Sequence, residues 1–336
     1  MKKVVSLGVV LVVLMSMVVS VYASEHVVVK GDVLWKIASE NKTSVSALAT
    51  LNNLKDPNLI FPGQVIKLSS HKEAVNQESE VSNMTNADKV VALISSIESG
   101  DHAPVAYINS SKYIQHNLGV KDGLQGFGEV MAQLPEGSAR ASVKRVFEDG
   151  DFVFTHTEYN FFGPKIGFDI FRFEDGLIVE HWDNLTPVAE TLNPAGRTQI
   201  DGTIEVKNIE LTNANKTLVQ GFVDDVLMGK APEKIMDYLS AETYLQHNTV
   251  VGDGVESLGA ALGAMAEAGT PMVYTDNHMV LGQGNFVLTV SEGQFLNEHV
   301  SFYDLFRIED GKIVEHWDVI EEIPAKDQWM NQNGKF

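Results

Sequence analysis

The 336-residue sequence contains no cysteine. That absence removes a disulfide framework, a thiol nucleophile and any Cys-ligated zinc site, and with them a lipid anchor on a cysteine at a leader junction. Basic residues are scarce: 25 Lys and Arg stand against 45 Asp and Glu, a formal net charge of −20. Such a surface repels nucleic acid and favours solubility. The long apolar run is at the start, where Met1-Lys-Lys, an apolar stretch from Val4 to Val21 and the small Ala23 form the charged head, apolar middle and cleavable end of a secretory leader over residues 1–23. An uncleaved membrane anchor is the alternative, because the run is just long enough to span. In either case the remainder lies outside the cytoplasm.

What the chain does contain is an internal repeat. Asp169-Ile-Phe-Arg-Phe-Glu-Asp-Gly-Leu-Ile-Val-Glu-His-Trp-Asp183 returns almost unchanged as Asp304 to Asp318. Each copy alternates with period two and breaks at Glu-Asp-Gly, the signature of two antiparallel strands joined by a tight turn. A three-residue loop at Glu174-Asp175-Gly176 pairs Phe171 with Val179 and Asp169 with His181. It keeps Arg172 and Glu180 off the face that carries the phenylalanines. That face is apolar near the turn and gathers Asp169, His181 and Asp183 at its far end, with Asp304, His316 and Asp318 in the second copy.

Taken in order, the length suits two or three domains. Residues 25–69 hold His26-Val-Val-Val-Lys-Gly-Asp-Val-Leu-Trp-Lys-Ile-Ala38 and Asn58-Leu-Ile-Phe-Pro-Gly-Gln-Val-Ile-Lys-Leu68, which predict a βααβ unit. This unit resembles a LysM module. The resemblance implies binding of N-acetylglucosamine-containing glycan such as peptidoglycan, in a groove between Gly31, Asp32, Val33 and Leu34 on one side and Asn58, Leu59 and Ile60 on the other. Val33 stands where the family usually carries Thr. A single module binds weakly, so its expected work is to concentrate the protein on the wall.

Residues 70–86 are polar and aperiodic, as in a flexible linker. Two similar units follow, at residues 87–200 and 212–325, each with helices ahead of an antiparallel meander. Tyr113-Ile-Gln-His-Asn117, Gly150-Asp-Phe-Val-Phe-Thr-His156 and the repeated hairpin together resemble the SnoaL-like group of the NTF2-like superfamily; the second unit carries Tyr244-Leu-Gln-His-Asn248. The expected architecture is therefore α+β: a βααβ LysM module followed by two cone-shaped NTF2-like barrels. The fold hosts cyclases, isomerases, dehydratases, hydrolases and plain binding proteins, so function must come from the site.

The resemblance places His116, His156, Asp169, His181 and Asp183 around a pocket, and His247, Asp304, His316 and Asp318 around a second. A carboxylate among rings is desolvated, which raises its pKa, while a facing imidazole pulls it back. The balance suits removal of a proton beside a carbonyl. The expected roles are Asp183 as base, Asp169 orienting His181, and His116 or His156 donating to a developing enolate oxygen. A His-Asp pair that merely fixes register is the structural alternative. Zinc is less well matched, because the histidines show none of its short spacings, and no cofactor is implied. His156 differs between copies, Val290 standing in its place, so it is the copy-specific candidate. Many relatives of this fold pair through the outer sheet face, which implies either an intrachain pseudo-dimer that buries Trp182 and Trp317 or, as the alternative, two units that simply follow one another on a tether through Asn193-Pro-Ala-Gly196 and the segment to Glu210. Acid–base chemistry on a small carbonyl compound and non-catalytic capture of a hydrophobic ligand are the two functions that remain; a wall hydrolase is disfavoured, for no glutamate-centred hydrolase signature is present.

Overall fold

The computed structural model describes residues 25–30, 32, 34–41, 48–49, 51–52, 54, 60–68, 84–134 and 138–336. The leader, most of the linker, and Gly31, Val33, Asn58 and Leu59 of the expected glycan groove lie outside the described residues. Among those described, no helix is long and apolar enough to cross a membrane.

The N-terminal module pairs strand β1 (Glu25–Val27) antiparallel to β2 (Val65–Lys67), with helix α1 (Leu34–Glu40) between them in sequence. Val28, Leu34, Ile37, Ala38, Leu48, Ala49, Ile66 and Leu68 form its core, with Leu54 and Ile60 packed against it. Leu34, expected on the groove, is 2% exposed and is a core residue; it opens the helix and points with Ile37 and Ala38. Asp32 closes the turn into that helix, its Oδ2 accepting from Val29 N at 2.8 Å and meeting His26 Nε2 at 2.6 Å. The Val29 hydrogen bond, then the one to His26, hold its carboxyl below the ordinary aspartate value.

The first large unit opens with helix α2 (Asn86–Ser99), started by a reciprocal capping box between Thr85 and Asp88. Strand β3 (Ile114–Gln115) and helix α3 (Gly123–Met131) lead into the meander β4 (Arg140–Asp149), β5 (Phe152–Asn160), β6 (Pro164–Glu174) and β7 (Leu177–Pro187). The sheet order is β3-β7-β6-β5-β4. The second unit repeats it. Helix α4 (Thr212–Phe222), the short helix α5 (Ile235–Tyr238), strand β8 (Leu245–Gln246) and helix α6 (Val255–Glu267) precede β9 (Val273–Gln283), β10 (Phe286–Phe295), β11 (Glu298–Glu309) and β12 (Lys312–Glu322), in the order β8-β12-β11-β10-β9. Each large unit is thus a five-stranded sheet with helices ahead of it, the cone-shaped α+β architecture expected from the sequence.

The hairpin register differs from the expected one. Glu174 pairs Leu177 across the two residues Asp175 and Gly176, both at positive φ (49° and 75°), and a bulge between Arg172 and Phe173 then restores the phase. Asp169 therefore faces Asp183, and Phe171 faces His181. The tight turn suits the strand twist, and the extra residue spares Arg172 from the apolar face: it pairs Glu180, with Nε–Oε2 at 2.6 Å. The second hairpin has the same bulge.

The sheets pack outer face to outer face. Phe147, Phe154, Ile166, Phe168, Ile170 and Trp182 of the first unit share one core with Leu281, Phe286, Leu288, Val290, Tyr303, Leu305, Trp317 and Val319 of the second. Phe147 and Phe286 meet across it at 4.9 Å. Asn184 Nδ2 donates to Ser301 O (2.9 Å) and Val319 O (3.0 Å) across this seam, while His156 Nε2, Trp182 Nε1 and Tyr303 OH are buried there without a partner.

Candidate active site

Alternation along β3, β6 and β7 decides what faces the hollow of the first cone. Tyr113, Gln115 and Asn117 are two residues apart and point inward, as do Asp169, Phe171, His181 and Asp183. They line, with Leu93, Ile97, Phe127, Val130, Tyr159, Phe161, Leu185 and others, a cavity of about 370 Å³. That size is within the range of small-molecule sites.

One atom each from Asp169, His181 and Asp183 lies within 4.8 Å of the other two, and all three residues are buried. The Nδ1 hydrogen of His181 donates to Gln115 Oε1 (3.1 Å), an oxygen that also accepts from Asn117 N (2.9 Å). His181 Nε2 meets Asp169 Oδ1 at 3.2 Å. Tyr159 donates its hydroxyl to Asp169 Oδ2 at 2.6 Å. Asn117 Nδ2 donates to Asp183 Oδ2 at 2.7 Å, whereas Asp183 Oδ1 is buried with no partner. The ring of His181 stacks on Phe171 at 4.6 Å. A cation would suit three such ligand atoms, but it would have to displace one of the two hydrogen bonds that already occupy His181.

The second unit repeats the cluster. His316 Nε2 meets Asp304 Oδ1 at 3.0 Å, His316 Nδ1 meets Gln246 Oε1 at 2.9 Å, and Asn248 Nδ2 donates to Asp318 Oδ2 at 2.6 Å. Its cavity is only about 40 Å³. Burial lifts the Asp318 carboxyl above its ordinary value. Burial opposes protonation of His316, but the hydrogen bond to Asp304 and the charges of Asp318 and Asp304 outweigh it and raise that imidazole.

Three expected pocket residues are elsewhere. His116 and His247 sit between the inward Gln and Asn of their strands and so point out: His116 stacks on Trp182 at 4.6 Å and meets Glu180 Oε1 at 2.9 Å, and His247 stacks on Trp317 at 4.7 Å and meets Glu315 Oε1 at 3.0 Å. His156 pairs with Phe168 and alternates away from Thr155, whose partner is Asp169, so it enters the seam between the units. There its Nδ1 accepts from Arg145 Nη1 at 3.1 Å and its ring stacks on Phe168. Desolvation, then the Arg145 charge, keep His156 well below the ordinary imidazole value and therefore neutral. Its copy-specificity reflects the seam: Arg145 faces His156 where Met279 faces Val290.

Sequence reasoning missed Gln115, Asn117 and Tyr159 and their counterparts. The signal for the first two was the period of two in Tyr113-Ile-Gln-His-Asn117. Tyr159 carries no such signal, because the second unit presents its phenol from another strand: Gly293 occupies the register position of Tyr159, and its neighbour Tyr274 reaches Asp304 Oδ2 at 3.2 Å.

Comparison with known proteins gives three kinds of likeness. Residues 26–69 match the LysM domain family, and this segment is a LysM module. SpoIVD-associated factor A of Bacillus subtilis is 39% identical over 66 residues, which are 19% of this chain and 17% of that protein. Among solved structures, an NTF2-like protein from Cytophaga hutchinsonii is 18% identical and covers 31% of this chain and 93% of its own (TM-score 0.28). A cystatin-like fold protein from Xanthomonas campestris is 20% identical over 35% of this chain and 98% of its own (TM-score 0.27). A candidate SnoaL-like polyketide cyclase from Jannaschia sp. is 16% identical over 35% and 92% (TM-score 0.28).

Proposed function

We propose that the first cone is a general acid–base site for a small apolar carbonyl compound, held at the cell wall by a LysM tether. The observation that carries this reading is Asp183, which lines a largely apolar cavity and whose carboxylate Oδ1 is buried without a partner. Asn117 fixes the other oxygen, which leaves Oδ1 aimed for a proton beside a bound carbonyl. Tyr113 replaces the histidines as the donor to an enolate oxygen: its hydroxyl accepts from Gln115 Nε2 at 3.3 Å and lines the same cavity, and burial, then the charges of Asp183 and Asp169, push its pKa up so that it stays protonated. Asp169, gripped by Tyr159 and His181, anchors the cluster.

The second unit, with a tenth of the space, serves as a rigid partner whose sheet completes the core. The LysM module supports an extracytoplasmic, wall-associated location, its glycan contact concentrating the enzyme at a surface. Binding of the full chain to purified peptidoglycan, lost on deletion of residues 26–69, checks that part.

The decisive experiment is solvent exchange of the α-proton in a panel of apolar ketones, followed by NMR. Exchange that disappears in Asp183→Asn supports the reading. Tight binding of a ketone with no exchange in the native chain would assign the cavity to ligand capture instead.

A further inference from the structure

We infer that the two polar clusters are completed crosswise, each by the segment that follows the other unit, and that Asn331 and Asn193 are positioning residues for them. The kinetic part of this inference rests on the catalytic reading of Asp183; the geometric part does not.

After β12 the chain crosses back to the first unit and grips the loop that carries Gln115 and Asn117. Asn331 Nδ2 donates to Asn117 O (2.8 Å) and Val120 O (2.9 Å), and Asn333 Nδ2 donates to Gln115 O (3.0 Å) and Asp122 Oδ1 (2.7 Å). Lys335 Nζ donates to the backbone carbonyl of Asp183 itself at 2.7 Å and pairs with Glu321. Met330 lines the first cavity. Asn331 and Lys335 are buried.

After β7 the chain makes the matching move onto the second unit. Asn193 Nδ2 donates to Gln246 O (2.6 Å), Val251 O (3.2 Å) and Asn248 O (3.3 Å). Arg197 Nη2 meets Asp253 Oδ2 at 2.6 Å, and Asp253 Oδ1 accepts from Gln246 N at 2.9 Å. The sequences behind the two grips share a spacing: Asn193-Pro-Ala-Gly196-Arg197 and Asn331-Gln-Asn-Gly334-Lys335. In both, the asparagine oxygen is taken by its own turn, from Ala195 N and Arg197 N in one and from Asn333 N in the other. The amide nitrogen is therefore left facing the loop.

The consequence follows from strand alternation. Each grip holds backbone carbonyls of the residues whose side chains, on the other side, set His181 and Asp183 or His316 and Asp318. A catalytic group displaced by about 1 Å can lose two orders of magnitude in rate, so a grip on this loop acts on chemistry without touching the ligand.

The test is carried out in the full chain with Asn331→Ala, Asn331→Asp and Asn193→Ala, read by imidazole ¹H–¹⁵N spectra. Asn331→Asp keeps the turn acceptor and removes only the donor, which separates the hydrogen bond from folding. The expected result is a shifted, faster-exchanging Nδ1 proton at His181 in both Asn331 variants, by about tenfold in exchange rate, with His316 unchanged; Asn193→Ala gives the converse. In ketone exchange, both Asn331 variants lower kcat about tenfold with KM nearly unchanged, and Asn193→Ala does neither. Equal disturbance of both histidines, or of neither, overturns the inference. A crosswise spectral pattern in a chain where Asp183→Asn leaves exchange intact would retain the grip and discard only the catalytic reading.

Discussion

The two cones carry the same Asp-His-Asp cluster and the same orienting Gln and Asn, yet one encloses about 370 Å³ and the other about 40 Å³. The helices over the two clusters differ: α3 contributes Phe127, Val130 and Met131 to the larger cavity. Helix α3 has 9 residues and α6 has 13, and the longer one brings Leu258, Ala261, Leu262 and Met265 to the second cluster, with Met272 beside them. A polar cluster can thus be kept for architecture in one copy while its twin has room for a ligand. The repetition itself teaches that duplicated polar residues are not by that fact catalytic: the cluster ties three strands together in both units, and only the space beside it differs.

The largest expected effect separates the copies directly. Asp183→Asn should lower ketone exchange by about 10²- to 10⁴-fold, whereas Asp318→Asn leaves it within about twofold; equal losses would erase the distinction between the units. Next is the seam. Arg145 donates to Ile200 O, Asp201 O and Thr203 O at 3.0, 2.6 and 2.7 Å and lies over Trp317. Arg145→Met, which copies the second unit, should cost about 3 kcal/mol or more by leaving buried carbonyls unpaired, measured by urea unfolding. Adding His156→Val should recover part of it.

A smaller effect tests the exchanged phenols. Tyr159→Phe removes the 2.6 Å donor to Asp169 and should cost about 1.5–3 kcal/mol. The double change Ala141→Tyr with Tyr159→Gly moves the phenol to the strand used by Tyr274, since Ala141 pairs Tyr159 as Tyr274 pairs Gly293, and should restore much of the loss. A further effect is with pH. Despite burial, hydrogen bonds from His247, Arg307 and Thr203 hold Glu315 at about 2, against an ordinary 4.5. A carboxylate depressed in the folded state contributes stability that is present above its ordinary value and lost as pH falls. Unfolding free energy should therefore decline from about pH 4.5 toward pH 2, and Glu315→Gln should flatten that slope.

Much of the fold was legible because period and repetition are local properties. The meander, the helices before it and the inward turn of Asp169, His181 and Asp183 all follow from alternation along strands. The register is not legible in the sequence because a two-residue turn with a bulge and a three-residue loop put the same residues on each face; only the cross-strand partners differ, Asp169 facing Asp183 and not His181. His116 and His156 lie outside the pocket because parity along the strand, and not nearness to a site motif, sets which face a side chain joins. Counting from Gln115 or from Thr155 puts both on the outer face.

The amino-acid order alone determined that there are two like cones behind a LysM module and which side chains share a sheet face, since those depend on hydrophobic period and turn chemistry within a few residues. Only the tertiary structure decided that one hollow is open and the other filled, that the outer faces merge into one core, and that each loop is held by the far unit's trailing segment. Those outcomes depend on volumes and hydrogen bonds between residues more than a hundred positions apart, as Asn331 and Asn117 are, and no local pattern encodes them.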